Sequence, residues 1–389
     1  MRLGSIYFAW KAIWKRRGTT IFISLIWACG LLGLATIERF EMGITNALQF
    51  QLKNTDLLIT AKGSPTQAIL ANVFHLKESS GNISNLETEE LLGEYNLQNI
   101  RRIAYGDNYM GHRILGCDSA TWNNILFYSL KGSLPKKPQD ALIGYKAAAS
   151  TNLKIGDKFY GSHGLIDHSI SNENGAYIVS GIFKSRGSSW NKLILSDINS
   201  VWAVHQGSDS SYTAVLAKIE NPLEKLLIPR KIQSNSSMMA VSPAFEVNNI
   251  LNWINQGARA FNSVSILLLL IASFSMLFLL QSHIRERIGD YALIIALGGT
   301  WWHVAKIVLW QNLILGLFAI GLTYLGLMML WLTQDLFLPL SEIFQQESFW
   351  NVYQDRIWIL SCLILSTFTS LGPWIWLQKI PLHNALVDS

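Results

Sequence analysis

The sequence predicts a membrane α-helical protein: four transmembrane helices plus a large α+β extracytoplasmic domain between the first and the second. Three observations predict it. Half of the 389 residues are hydrophobic and only 15% are charged, too apolar a composition for an ordinary soluble protein. The apolar residues are clustered, and Phe261–Gln281 runs 21 residues without a charge. At about 1.5 Å per residue that is roughly 30 Å of helix, one hydrocarbon core. Between this run and an earlier one at 19–37 lies a long stretch of mixed character, large enough for a core of its own.

Residues 1–18 carry Arg2, Lys11, Lys15, Arg16 and Arg17 and no acid. Ile6, Ala9, Trp10 and Ile13 share a helical face, which predicts an amphipathic helix on the cytoplasmic surface. The first span, 19–37, holds 19 uncharged residues and precedes Glu38 and Glu41. A cleaved signal peptide shares the basic-then-apolar order. The run is too long for its apolar region, however, and no A-x-A site ends it. Basic residues before the span place the N-terminus inside. Ile37, Phe40, Ile44, Leu48 and Leu52 continue the helical period, so 38–53 reads either as a stalk above the membrane or as a surface helix of the domain.

The domain, 54–246, alternates without strict order between strand and helix patterns. Asp56–Thr60, Arg101–Tyr105, His112–Gly116, Ala141–Gly144, Tyr177–Phe183 and Lys192–Leu195 read as strands between Gly, Asn and Ser turns. Gln67–Phe74, Glu87–Tyr95, Tyr145–Leu153 and Ser196–His205 read as helices, so α+β is expected over a doubly wound sheet. Ile250, Ile254, Ala258 and Phe261 recur at helical spacing, making 247–260 a second stalk leading into the second span, 261–281. A cytoplasmic segment follows at 282–303, then a third span at 304–332. The loop 333–356 carries Asp335, Glu342, Glu347 and Asp355 against Arg356 and belongs outside. The last span, 357–377, is broken near Gly372-Pro373, and the tail 378–389 returns inside.

The chemistry present is sparse. The sequence has no G-x-x-x-x-G-K-[ST], G-x-S-x-G, H-E-x-x-H or paired C-x-x-C. A catalytic role is not expected, because no nucleophile, base and orienting group appear together. The spans hold almost no ionisable residue, which argues against a proton- or ion-coupled carrier. The net charge of +5 lies largely beside membrane segments and does not point to nucleic acid. Cys29, Cys117 and Cys362 imply no disulfide framework. His75, His112, His163, His168 and His205 all lie in the domain, and His75, His163 and His168 are the candidate metal residues. Solvated or singly hydrogen-bonded histidines outweigh a metal site, since no carboxylate or cysteine cluster completes one. Arg285, Glu286, Arg287 and Asp290 precede a short apolar helix that stops at Gly298-Gly299. Pattern alone leaves two readings open: charges that merely end a membrane helix, or a docking element at the membrane face.

The run Arg285-Glu-Arg followed by Ala292-Leu-Ile-Ile-Ala-Leu-Gly-Gly-Thr-Trp-Trp-His-Val304 resembles the cytoplasmic motif of the MacB/FtsX/LolC-type ABC permeases. There a basic-acidic turn precedes an "xxALGA(S/T)xxxV" helix. Ile380-Pro-Leu-His-Asn-Ala-Leu386 resembles the family's C-terminal ending. Ala141–Ala147 with Leu153–Asp157 is similar to a run in its outer domain. Two features depart from the pattern. Glu286-Arg-Ile-Gly-Asp-Tyr291 stands where the family has a Glu-Ile/Phe-Ala/Gly sequence leading into the helix, and Trp301-Trp302 replaces small or basic residues after the glycines.

The resemblance implies a permease subunit with a MacB-like periplasmic core domain in a bacterial inner membrane, both termini cytoplasmic. It implies no cofactor in this chain, with ATP and magnesium held by a separate ABC ATPase subunit dimer. A second permease copy, a periplasmic adaptor or substrate-binding protein and membrane lipid are the other expected partners. Arg285, Glu286, Arg287, Asp290, Ala296, Leu297, Gly298 and Gly299 would couple to the ATPase. The stalks would carry the motion outward, the process called mechanotransmission. The alternatives are an FtsX-like transmembrane signalling subunit that activates a periplasmic partner, and a permease in zinc handling.

Overall fold

The computed structural model describes residues 2–15, 17–125, 127–162, 176–185, 189–204, 210–337, 352–372 and 375. The chain begins with α1 (Arg2–Lys15) and α2 (Arg17–Leu52). The sheet region follows with β1 (Leu57–Ala61), α3 (Pro65–Asn72), β2 (Ile83–Ser84), α4 (Asn85–Glu94), β3 (Gln98–Tyr109) and β4 (His112–Cys117). Next come α5 (Ser119–Asn124), β5 (Phe127–Gly132), β6 (Asp140–Gly144), α6 (Tyr145–Thr151), β7 (Lys158–Phe159) and β8 (Tyr177–Ser185). It closes with β9 (Ile194–Asp197), α7 (Ile198–Val204), β10 (Ser211–Tyr212), β11 (Ala214–Lys218), α8 (Glu224–Asn235) and β12 (Met238–Val241). Four more helices complete the chain: α9 (Pro243–Glu286), α10 (Ile288–Ala296), α11 (Trp301–Phe337) and α12 (Val352–Thr369).

Two compact units result, Met1–Ile44 with Trp253–Ser389, and Thr45–Asn252. Each is described by itself.

In the second unit the described strands form a ten-stranded sheet of order β12-β1-β11-β3-β4-β9-β6-β8-β5, with β7 added beside β8. It is mixed: β4 with β9 and β6 with β8 are parallel, the other pairs antiparallel. Side chains alternate across a strand, and in β1, β11 and β12 both faces are buried. Leu58, Ile103, Leu216 and Met239 enter one core, where Ala68 and Ile69 of α3 cover them. Their neighbours Leu57, Ile59, Ala104, Val215 and Met238 enter another, under Leu91 and Leu92 of α4 and Ile228 and Ile232 of α8. Leu48 and Leu52, at the end of α2, and Val247 and Leu251, near the start of α9, join the first of these cores. The helix ends are set locally. Ser64 caps α3 by accepting from the Gln67 N–H, with Pro65 at the first helical position. After Leu52 the chain turns through Asn54 at φ 70°, a left-handed position that asparagine tolerates.

All six strands read from the sequence are present, inside a sheet whose described residues also contain β5, β7, β11 and β12; β2 and β10 pair separately. The described residues hold three helices long and apolar enough to cross a membrane: α2, α9 and the part of α11 to Thr333. The sequence reading had four spans. Helix α12 overlaps the fourth, but its described residues include Gln354, Asp355 and Arg356, and residues 376–377 lie outside the described set. The tail 378–389, and most of the acidic loop, also lie outside it.

The first unit is organised around α2. Trp27, Leu31 and Ala35 sit in a core with Ala272 and Met276 of α9, Val308 and Ala319 of α11, and Trp358 and Cys362 of α12. Close approach of α2 and α9 depends on small residues. A Cβ at Gly33 would stand against the Ser265 hydroxyl, and one at Gly30 would fall 2.8 Å from Leu269 Cγ. Helix α1 packs on α11. It buries Ala9, Ala12 and Ile13 and leaves Ile6 and Trp10 exposed, so its packed face is rotated from the one read in the sequence.

Candidate coupling segment

Residues 284–300 form a helix–break–helix–turn. α9 ends at Glu286, Arg287 adopts φ −115°, ψ 19°, and α10 begins at Ile288. One side of α10 is fastened down: Tyr291 and Ala292 are buried, and Tyr291 shares a core with Ile284, Ile294, Trp301 and Val304. The other side carries Asp290, Leu293 and Leu297, three and four residues apart on one face. Leu293 is 55% exposed and Leu297 79%. Arg285, Glu286 and Ala296 are exposed and Arg287 is half-buried. Both acids that the sequence offers for partner contact, Glu286 and Asp290, are therefore at the surface.

The paired glycines close α10. The Gly298 N–H donates to Ile295 O at 3.0 Å and the Gly299 N–H to Ile294 O at 2.9 Å, the two bonds of a Schellman motif. Gly298 supplies the left-handed residue at φ +90°. Gly299 lies so close to the preceding turn that a Cβ would fall 2.5 Å from Ile294 O. The next helix starts at once. The His303 Nδ1 accepts from the Thr300 N–H at 3.1 Å, and the His303 N–H donates to Thr300 O at 2.8 Å. A histidine thus takes the place of Glu or Gln in a capping box.

Sequence reasoning missed a buried charge pair. Arg39 Nη2 donates to Asp355 Oδ1 at 2.6 Å, with both side chains at most 3% exposed. Tyr324 donates its hydroxyl to Asp355 Oδ2 at 2.9 Å, the Trp358 indole N–H donates to Oδ1 at 3.2 Å, and Arg39 Nη1 donates to Ala35 O at 3.0 Å. The cluster ties α2, α11 and α12 together. In the sequence Arg39 sits among the charges that end a span, and Asp355 reads as part of the acidic loop 333–356. The only signal was an opposite charge just beyond each of two apolar runs.

The histidines separate. His163, His168 and His205 lie outside the described residues. His112 Nδ1 bonds Lys192 O at 2.8 Å and its Nε2 bonds Ser150 Oγ at 2.6 Å. His75 is half-buried with its Nε2 shut off from solvent, edge-on to Trp190 with ring centres 4.6 Å apart. The Tyr105 hydroxyl donates to Ala71 O, so the 2.6 Å contact between His75 Nδ1 and that hydroxyl has the imidazole N–H as donor. Its Nε2 then keeps a buried lone pair without a partner. Burial, reinforced by nearby Arg113, lowers its pKa to about 3, so the ring is neutral at ordinary pH. No group of three or more His, Cys, Asp and Glu placed to hold a metal ion occurs among the described residues.

These features define a membrane-helical protein with a large mixed-sheet domain inserted between its first two long apolar helices. Residues 262–380 match the family model for the FtsX-like permease C-terminal domain, so this part of the chain is similar to the permeases of the MacB/FtsX/LolC-type ABC family. The match contains the whole of 284–300 and the partner side of the Arg39 pair. FtsX-like permeases are typically non-catalytic membrane subunits and generally pair with ABC ATPases. No curated protein matches the chain.

Proposed function

We propose that this chain is the permease subunit of an ABC transporter of the MacB/FtsX/LolC type. It couples ATP hydrolysis by a separate ATPase subunit to a conformational change of the sheet domain, which acts outside the cytoplasm on periplasmic or membrane cargo. The observation that carries this reading is the outer face of α10. Two exposed leucines, Leu293 and Leu297, follow Asp290 on one face of a short helix whose other side is fixed by Tyr291 and whose end is fixed by the glycine turn. Such a face offers an apolar anchor with a charged rim, the anatomy of a small interface.

In this reading Arg285, Glu286, Arg287, Asp290, Ala296, Leu297, Gly298 and Gly299 receive the motion of an ATPase dimer that itself holds ATP and magnesium. Residues 38–53 and 247–260 carry the motion along the chain to a MacB-like domain, and residues beyond α12 complete a fourth span. A second permease copy and a periplasmic adaptor or substrate-binding protein complete the assembly. The setting is a bacterial inner membrane, with both termini in the cytoplasm.

Gentle affinity purification of the full-length chain from its native membrane, followed by mass spectrometry, tests the reading. A P-loop ATPase in equal amount is the expected result, and its absence overturns the assignment. In the same preparation, Glu286→Lys combined with Asp290→Lys is expected to abolish the permease's effect on ATP hydrolysis while the sheet domain stays folded. Unchanged coupling in that variant would remove these two acids from the interface.

A further inference from the structure

A cavity of about 160 Å³ opens within the sheet domain, beside the last turn of α2. Three features give it chemical character. Arg101, which lines it, is only 7% exposed. Its Nη2 donates to Asn54 O at 3.0 Å and to the Thr55 hydroxyl, both neutral, and its Nε–H has no acceptor. Among the described residues no carboxylate forms an ion pair with it. The acid that acts on it from a distance, Asp118, is already engaged by the Arg102 N–H and the Thr121 N–H. A buried cation without a counter-charge is costly, and burial draws its pKa down to about 10. Asn72, 1% exposed, lines the same cavity with its Oδ1 unpartnered.

The second feature is that no Asp or Glu lines it among the described residues, while Lys53 adds another positive charge. The third is an apolar, aromatic part of the wall, Phe50, Ile125 and Trp190, set beside the polar Gln51, Thr121, Asn123 and Ser185. The size is that of a small ring compound, since an apolar cavity of about 150 Å³ takes benzene.

We infer that this cavity is a binding site for a small monocarboxylic acid with an apolar body, its carboxylate paired with Arg101 and its body against Phe50, Ile125 and Trp190. The guanidinium is the natural carboxylate partner because its planar fork donates to two oxygens at once. The inference is independent of the coupling role proposed above and stands or falls separately from it.

The test uses the full chain in lipid nanodiscs and two acids, benzoate and phenylacetate, each with its neutral amide, benzamide and phenylacetamide. Binding is read by isothermal titration and by saturation-transfer NMR. At least one acid is expected to bind, with its amide at least tenfold weaker. Arg101→Gln should weaken the acid at least tenfold, and Asn123→Trp, at the exposed rim, should block it by filling the mouth. Inorganic phosphate should not displace the acid. The inference is overturned if neither acid binds, if acid and amide bind alike, or if phosphate competes equally, which would make the apolar wall irrelevant. Should Arg101→Gln fail to fold, Asn123→Trp decides: unchanged binding there places the acid elsewhere.

Discussion

Acidification should loosen the sheet domain through a single residue, His75. In the fold its pKa is about 3, against 6.5 for an unhindered imidazole. Between those values the unfolded chain binds a proton that the folded chain refuses. Stability therefore falls as pH drops below 6.5, and the loss is complete only near the folded value. For one such group the loss at pH 5, relative to pH 7.5, is about 2 kcal/mol. At a urea slope of about 2 kcal/mol per molar, that is a midpoint shift of roughly 1 M.

The comparison is His75→Asn, because the residue sits at φ 55° and asparagine accepts that backbone without titrating. The substitution leaves a void beside Trp190 and lowers stability at every pH, so the quantity of interest is the change between pH 7.5 and pH 5. Met238 and Met239 are buried in the two cores of the sheet, 2% and 3% exposed. A brief peroxide pulse across a urea series therefore reads domain opening from their oxidation, a reaction that needs no ionised thiol. The wild type should lose about 2 kcal/mol more than the variant on acidification. Equal losses would mean that His75 is not the acid-sensitive group, and that its burial has been misjudged.

Two further predictions concern the membrane unit. Gly299→Val should drive its Cβ against Ile294 O and break the end of α10, while Gly298→Ala should cost about 1 kcal/mol at its left-handed backbone. Both should reduce recovery of the ATPase in pull-down, and full recovery in both would detach the glycine turn from docking. Arg39→Gln should leave the Asp355 carboxylate buried without its cation and destabilise the helical unit by about 3–5 kcal/mol. The double change Arg39→Met, Asp355→Leu should recover most of that, as read by thermal aggregation in detergent. A harmless single change would show the pair to be solvated.

The long apolar helices were legible because their signal, length and absence of charge, is local. So were strands such as β4 and β8, where Gly and Asn turns bracket the apolar residues. The central strand β11 was missed because Ala214-Val-Leu-Ala217 is buried on both sides and carries no alternation to read. β12, four consecutive buried residues from Met238, was missed for the same reason. Helix α8 was hidden by Pro229 within it. At the candidate site, the glycine turn and the exposed acids were readable from neighbours in sequence. The Arg39–Asp355 pair was not, because its partners lie 316 positions apart and only packing joins them. Arg101 likewise read as one basic residue at the start of a strand, and nothing local announced that it lacked a counter-ion.

The two-sided sheet has a consequence for folding fidelity. In a strand with one polar face, a slip of one residue exposes every apolar side chain and is rejected. In β1 the same slip only exchanges Leu57 and Ile59 with Leu58 between two greasy compartments, so hydrophobicity barely distinguishes right from wrong. The discrimination falls to a few polar pins. The Thr60 hydroxyl donates to Thr213 O at 2.8 Å. Asp56 accepts the Ile219 N–H at 3.1 Å and the Lys225 ammonium at 2.8 Å. These residues act as the keying of the strand. Without them the domain would retain its greasy compartments yet lose the means of telling one alignment from the next.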